Sequence, residues 1–271
     1  MPLTIAQALR ARGIDPIDAR ALLEHALGVD AAYLAARPEL ALSATRQARF
    51  ERLLERRRAG EPVAYLVGRR EFFSLEFAVT PAVLIPRPET ELLVEQAVER
   101  LPADAASTVL DLGTGSGCIA IALARERPRA RVTAVDRSAA ALAVARRNAG
   151  RLSASNVEFV RSDWFAALAP GAFDLIVANP PYIADADPCL ASGDARFEPR
   201  AALAGGADGL DRIRDIVARA PAWLDPGGWL LFEHGYDQAQ ACRNLLDAAN
   251  FREIASYRDL AGIERVSAGR R

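Results

Sequence analysis

The segment Thr108-Val109-Leu110-Asp111-Leu112-Gly113-Thr114-Gly115-Ser116-Gly117-Cys118 decides how the chain is read. An apolar run of strand length, Thr108 to Leu112, enters a loop with glycine at every second position. The stretch CIAIALARERP (118–128) then continues at helical spacing. Such glycines let the backbone turn tightly and let a ligand approach the main chain closely. A dinucleotide site normally carries GxGxxG and sets a pyrophosphate on the helix N-terminus. Here the pattern is DxGxGxG, with the Asp111 carboxylate beside the loop. That placement suits a positively charged ligand better than a pyrophosphate and disfavours a nicotinamide oxidoreductase.

Downstream of this segment, strands and helices alternate. ARVTAVD (130–136), NVEFVRSD (156–163), FDLIVANP (173–180) and GWLLFEHG (228–235) read as strands. AAALAVARRNAG (139–150), DGLDRIRDIVARAPAWL (208–224) and QAQACRNLLDAAN (238–250) read as helices. The order predicts an α/β fold with a parallel sheet covered on both faces. The last two strands, FREIASY (251–257) and IERVSAG (263–269), are joined too closely for a crossover and are predicted antiparallel.

Upstream, residues 1–68 read as a small all-helical unit. Thr4 and Gln7 form a capping-box pattern with Gly13 as the stop, and Asp15-Pro16 starts a second helix that runs to Gly28. In that helix Ile17, Leu22, Leu23, Ala26 and Leu27 recur at helical spacing. A further helix starts at Ser43, buries Phe50, Leu53 and Leu54, and ends at Gly60. Residues 69–106 read as a β-hairpin, a proline-rich linker and a connecting helix. In EFFSLEFAVT (71–80) Phe73, Leu75, Phe77 and Val79 alternate with polar or small residues, which predicts one strand, with Val83-Leu84-Ile85 as its partner. Residues 107–271 hold every chemical motif.

Composition narrows the function. The 271 residues carry 34 basic side chains, all arginine, against 35 acidic ones, a net charge of −1. The basic excess of a protein that grips nucleic acid through its overall charge is absent, so stable nucleic-acid binding is not expected. No run approaches the ~20 apolar residues of a membrane span, so no membrane partner is expected either. Three scattered cysteines and two histidines argue against both a disulfide framework and a zinc site, and the expected location is cytoplasmic.

Three further elements follow the glycine loop. Asp136 ends the second strand, where a carboxylate can accept both hydroxyls of a ribose. Its alternative role is a helix cap. Asp163 and Trp164 end the third strand, where a carboxylate and an indole can hold an adenine. Asn179-Pro180-Pro181-Tyr182 ends the fourth strand. The Asn179 amide oxygen and the Pro180 carbonyl make two acceptors held by rigid prolines, matched to a planar NH2 group, and Tyr182 offers a flat face for stacking.

These features in this order resemble the class I S-adenosylmethionine-dependent methyltransferases that modify planar exocyclic nitrogens. GRREFFSLEFAVTPAVLIPRPETELLV (68–94), NPPYI (179–183), FEPRAALAGGADGL (197–210) and FEHG (232–235) are similar, more narrowly, to the HemK/PrmC family. The resemblance spans nearly the whole chain. It implies a seven-stranded, mostly parallel Rossmann-like methyltransferase sheet behind the helical N-terminal domain and the β-hairpin linker. It implies S-adenosylmethionine as cofactor, released as S-adenosylhomocysteine, with no metal. Gly113, Thr114, Gly115, Ser116, Gly117, Asp136, Asp163, Trp164 and Asn179 would bind the cofactor. Asn179, Pro180, Pro181 and Tyr182 would bind the substrate, with Asn179, Pro180 and Tyr182 catalytic. The implied reaction is N5-methylation of the glutamine in the GGQ motif of class I peptide chain release factors, with residues 1–68 recognising the substrate. The alternatives are an exocyclic-amino methyltransferase acting on nucleic acid, which uses the same NPPY geometry, and a non-catalytic methyltransferase-like binding module.

Overall fold

In the computed structural model, which describes every residue except Met1, Arg12, Pro170 and Ala172, the chain divides into two units, Met1–Arg69 and Arg70–Arg271. The first is helical, with α1 (Ile5–Leu9), α2 (Pro16–Leu27), α3 (Ala31–Ala36), α4 (Ala44–Arg58) and α5 (Val63–Val67). Thr4 and Gln7 close the capping box, each side chain taking the other residue's backbone N–H. Asp15 caps α2, Pro16 occupies its first turn, and Gly28 ends it in the left-handed conformation at φ 69°. Helix α1 stops at Leu9, before Gly13, and Arg12 lies outside the described residues. Leu22, Leu23, Ala26, Leu27, Phe50, Leu53 and Leu54 form the core of this unit. Ile17 does not join them: it is 67% exposed, on the first turn of α2.

The larger unit opens with a hairpin placed differently from the expectation. Strands β1 (Arg69–Phe72) and β2 (Leu75–Ala78) pair across a two-residue turn at Phe73-Ser74. Both turn residues have positive φ, 51° and 58°, the backbone of a type I′ turn whose twist matches paired strands. So EFFSLEFAVT is two strands with a turn inside it, and Val83-Leu84-Ile85 forms no strand. The turn was hidden because it lacks the Asn-Gly chemistry that usually marks it. Phe72 and Phe77 pack in one cluster with Leu93, Val109 and Leu123, so residues 70–106 are built into the core of the larger unit.

Helix α6 (Glu91–Arg100) precedes the alternating part: β3 (Thr108–Leu112), α7 (Cys118–Glu126), β4 (Arg131–Asp136), α8 (Ala139–Arg151), β5 (Val157–Arg161), β6 (Phe173–Ala178), α9 (Asp211–Arg219), β7 (Leu224–Glu233), α10 (Ala239–Ala248), β8 (Arg252–Arg258) and β9 (Glu264–Arg270). The seven-stranded sheet runs β5-β4-β3-β6-β7-β9-β8. Strands β3 to β7 are parallel; β9 is antiparallel to both of its neighbours. Alternate residues enter opposite cores. Val109, Leu175 and Val177 face one cluster, while Leu110, Leu112, Ile176 and Ala178 face the other. From β3 the chain winds outward to β4 and β5, then returns to β6 on the other side. That reversal opens a crevice at the carboxyl ends of β3, β4 and β6, where open α/β sheets bind ligands.

Candidate active site

The crevice holds a cavity of about 500 Å³. Gly113, Thr114, Gly115, Ser116, Asp136, Asp163, Trp164, Asn179 and Pro181 lie on its wall. Gly117, Pro180 and Tyr182, also expected in the site, do not. Gly117 begins α7 behind the loop, where a Cβ would come 3.1 Å from the Ala145 Cβ on α8. Pro180 is buried, and Tyr182, half-buried, points its hydroxyl inward to Glu233 at 3.0 Å.

The loop folds as its glycines dictate. Gly113, Gly115 and Gly117 have φ of 76°, 55° and 83°, a region that costs other residues. At Gly113 a Cβ would also stand 3.2 Å from the Trp164 ring, so the indole seats against bare backbone. Trp164 itself has positive φ, 50°, and Ser162 holds this turn by donating to the Trp164 carbonyl at 2.7 Å and accepting from Ala167 N at 2.9 Å. Asp136 fills the bracing role without being the cap of α8, which is Ser138. Its Oδ2 accepts from Gly115 N at 3.0 Å and its Oδ1 from Ser138 N at 2.8 Å. Each oxygen keeps a lone pair for a ligand hydroxyl.

Asp111 lies fully buried beneath the loop, where neither carboxylate oxygen makes a well-formed hydrogen bond, the Thr114 hydroxyl and the Ala120 N–H being only its loose neighbours. Burial pushes its pKa up to about 7, against the Thr114 hydroxyl and the Ala120 N–H, which favour the charged form, while the Asp136 carboxylate adds a little to the rise. An unpartnered buried carboxylate is costly, and a cation in the adjoining cavity offsets that cost. Cys118, at the start of α7, is driven by burial up to about 12 and stays a thiol.

Four side chains form a chain behind the NPPY turn. Asn179 Nδ2 donates to Thr90 Oγ1 at 3.0 Å, Thr90 Oγ1 donates to Glu233 Oε2 at 2.6 Å, and the Tyr182 hydroxyl donates to Glu233 Oε1. Burial, first, and the neighbouring Glu233 carboxylate raise the Tyr182 pKa well above its ordinary value.

Three features escaped the sequence reading. Asn148 on α8 is fully buried and donates to the Ala78 and Ser116 carbonyls at 3.0 and 2.9 Å while accepting from Ala78 N at 2.8 Å, tying β2 to the glycine loop. A lone polar residue in a helix gives no sequence sign of this. Arg87 and Glu198, 111 residues apart, pair at 2.7 Å with the Glu198 side chain fully buried, so IPRPET is tied to FEPRAAL beside the cavity. Gly205 and Gly209 let the GGADGL segment lie on the NPPY turn: a Cβ at Gly205 would stand 2.5 Å from the Pro181 carbonyl oxygen, and one at Gly209 would overlap the Tyr182 carbonyl.

Comparison with known proteins fits this geometry. The family profile described as PrmC N-terminal domain matches residues 4–68, and that described as Methyltransferase small domain matches residues 88–194. A protein of Burkholderia pseudomallei named release factor glutamine methyltransferase is 57% identical, over 99% of this chain and 96% of its own. The chain belongs to the release factor glutamine methyltransferase family. A member from Pseudomonas aeruginosa is 53% identical over 93% of this chain and 91% of its own. A solved methyltransferase from Pyrococcus furiosus shares the fold at TM-score 0.56 and 19% identity, covering 84% of this chain and 98% of that one. Among the described residues of this family member, no helix is long and apolar enough to cross a membrane.

Proposed function

We propose that this chain transfers the methyl group of S-adenosylmethionine to the side-chain amide nitrogen (N5) of the GGQ glutamine in class I peptide chain release factors. Family membership along the whole chain supports the reaction. The observation that carries it to particular residues is Asn179. Its amide nitrogen is bound to Thr90, which leaves the oxygen as the acceptor of a residue that lines the cavity beside the glycine loop.

The cavity suits the cofactor. Asp136 has lone pairs for ribose hydroxyls, Asp163 and the Trp164 ring offer an edge and a face to an adenine, and Asp111 is a buried carboxyl that a cationic ligand above it draws into its charged form. When bound, the cofactor supplies a methyl already activated on a sulfonium sulfur. The acceptor is the harder part, because an amide nitrogen shares its lone pair with the carbonyl. Asn179 Oδ1, from the cavity wall, accepts one N–H group and aims the nitrogen; the Pro180 carbonyl, whose residue lies buried behind that wall, is the expected second acceptor once the glutamine enters the turn. Alignment of this kind supplies on the order of 7–11 kcal/mol. As the new N–C bond forms, the nitrogen gains positive charge, which the same oxygens stabilise more than the neutral amide. The proton then leaves to solvent. Tyr182 serves by anchoring the turn through Glu233, and residues 1–68 recognise the body of the release factor.

Labelled S-adenosylmethionine offered together with a purified release factor and bulk RNA and DNA tests the reading. Label on the factor is the expected result. Label on nucleic acid alone identifies an exocyclic-amino methyltransferase in its place, and no transfer to either leaves a binding module.

A further inference from the structure

An asparagine amide has nearly the same shape either way round, so its orientation is set by its hydrogen-bond partners. At Asn179 that choice matters, because the oxygen can accept from a target NH2 and the nitrogen cannot. The partners form a one-way chain. A carboxylate only accepts, so Glu233 takes the single hydroxyl proton of Thr90 through Oε2 and that of Tyr182 through Oε1. Thr90 Oγ1 is then left as an acceptor, and Asn179 must offer it the NH2 group. Oδ1 faces the other way.

Two observations show that the chain is built and isolated. Thr90 and Glu233 are 2% and 1% exposed, so water does not substitute for either partner. Thr90 stands at the N-cap of α6, where a threonine hydroxyl ordinarily caps the helix. It makes no capping bond there, and its proton goes to Glu233. The pairing of β6 with β7, Ala178 opposite Phe232, brings Asn179 and Glu233 side by side at the strand ends.

We propose that Glu233, acting through Thr90, is a positioning residue that fixes the Asn179 amide with its oxygen toward the target nitrogen. This rests on Asn179 being the acceptor in the proposed reaction. A flipped amide would set N–H donors against the donors of the glutamine NH2 and abolish the alignment. The orientation also depends on the charge of Glu233. Burial raises its pKa, the Glu89 carboxylate adds to the rise, and Arg265 opposes it together with the Thr90 and Tyr182 hydroxyls; the Cys118 thiol also lies in its field. Protonated Glu233 can donate to Thr90, whose own proton then turns to Asn179 and reverses the amide. Methyl transfer therefore has an acid limb that belongs to Glu233.

The test is single-turnover methyl transfer to the release factor by Thr90→Val, Thr90→Ser and Glu233→Gln, with Asn179→Ala as reference, across pH at saturating S-adenosylmethionine, so that the Asp111-linked change in cofactor binding does not enter the rate. S-adenosylhomocysteine affinity and thermal unfolding are measured in parallel. Thr90→Val is expected to slow transfer by about tenfold or more while cofactor affinity stays within about threefold. The serine variant restores the rate, and the acid limb persists in it but vanishes in Thr90→Val and Glu233→Gln. Thr90→Val at the wild-type rate beside a crippled Asn179→Ala overturns the positioning role alone. Both variants at the wild-type rate overturn the acceptor reading itself. If Thr90→Val does not fold, Glu233→Gln decides, and an unchanged acid limb in that variant overturns the proposal.

Discussion

Asp136→Ala separates the proposed grip of this carboxylate on a ribose from its bracing of the glycine loop. Each Asp136 oxygen already accepts one backbone N–H, from Gly115 at 3.0 Å and Ser138 at 2.8 Å, and each has one lone pair left. Two ribose hydroxyls fit those lone pairs. The side chain is only half-buried, so the low end of the range for charged acceptors applies, about 1.5 kcal/mol per bond. Two such bonds amount to about 3 kcal/mol, or roughly 100-fold in Kd. Water can reach the freed amides, so loss of the brace costs about 1 kcal/mol and lowers Tm by about 2–4 °C in a unit of this size. Calorimetric titration with S-adenosylhomocysteine and a thermal melt read the two effects separately. A Kd within about threefold of the wild type, with the fall in Tm intact, would refute ribose binding and leave Asp136 a brace.

Asn148→Ala leaves the buried N–H and C=O of Ala78 without partners, at about 1–3 kcal/mol for each group, so thermal melts should show a Tm drop of about 4–24 °C. Asp111 gives binding a pH dependence. Its folded pKa of about 7 lies above the unfolded value, so the folded apo chain holds an extra proton between those pH values. This contribution to stability is full at low pH and is lost as pH rises through about 7, so Asp111→Asn should gain stability relative to the wild type at pH 8 in urea titrations but not near pH 4. A cationic cofactor favours the carboxylate, and calorimetry below pH 7 should show proton release on binding that the Asn variant lacks. A chain beginning at Gly68 should still bind S-adenosylhomocysteine, since every cofactor motif follows residue 107, but should methylate intact release factor slowly in a single-turnover assay.

The sheet was legible because its signals are local: five apolar runs ending in Gly, Asp or Asn-Pro, all but the third, NVEFVRSD, followed by a helical repeat before the next run. The antiparallel end followed from chain length alone, since five residues between β8 and β9 cannot carry a crossover. The hairpin was misread because period two continues through Phe73-Ser74, and alternation does not reveal that both residues have positive φ. Helices α3 and α5 have six and five residues, too few to show a period. At the site, most of the expected residues that line the cavity were visible as motifs, whereas those that support them were not. Asn148, the Arg87–Glu198 pair and the Thr90–Glu233 link join residues 32 to 143 positions apart, and only the folded chain brings them together. Tyr182 shows the same limit: its sequence suggests a stacking face, but gives no sign that its hydroxyl is also bound to a buried carboxylate.

The most direct measurement is a peptide mass map of a purified release factor after a single turnover, with the wild-type chain and with Asn179→Ala at saturating cofactor. The account predicts one added methyl on the GGQ glutamine with the wild type, and a rate about 10²–10³ lower for the variant, because one preorganised acceptor is lost. A methyl on another residue, or Asn179→Ala within a few-fold of the wild type, would contradict it.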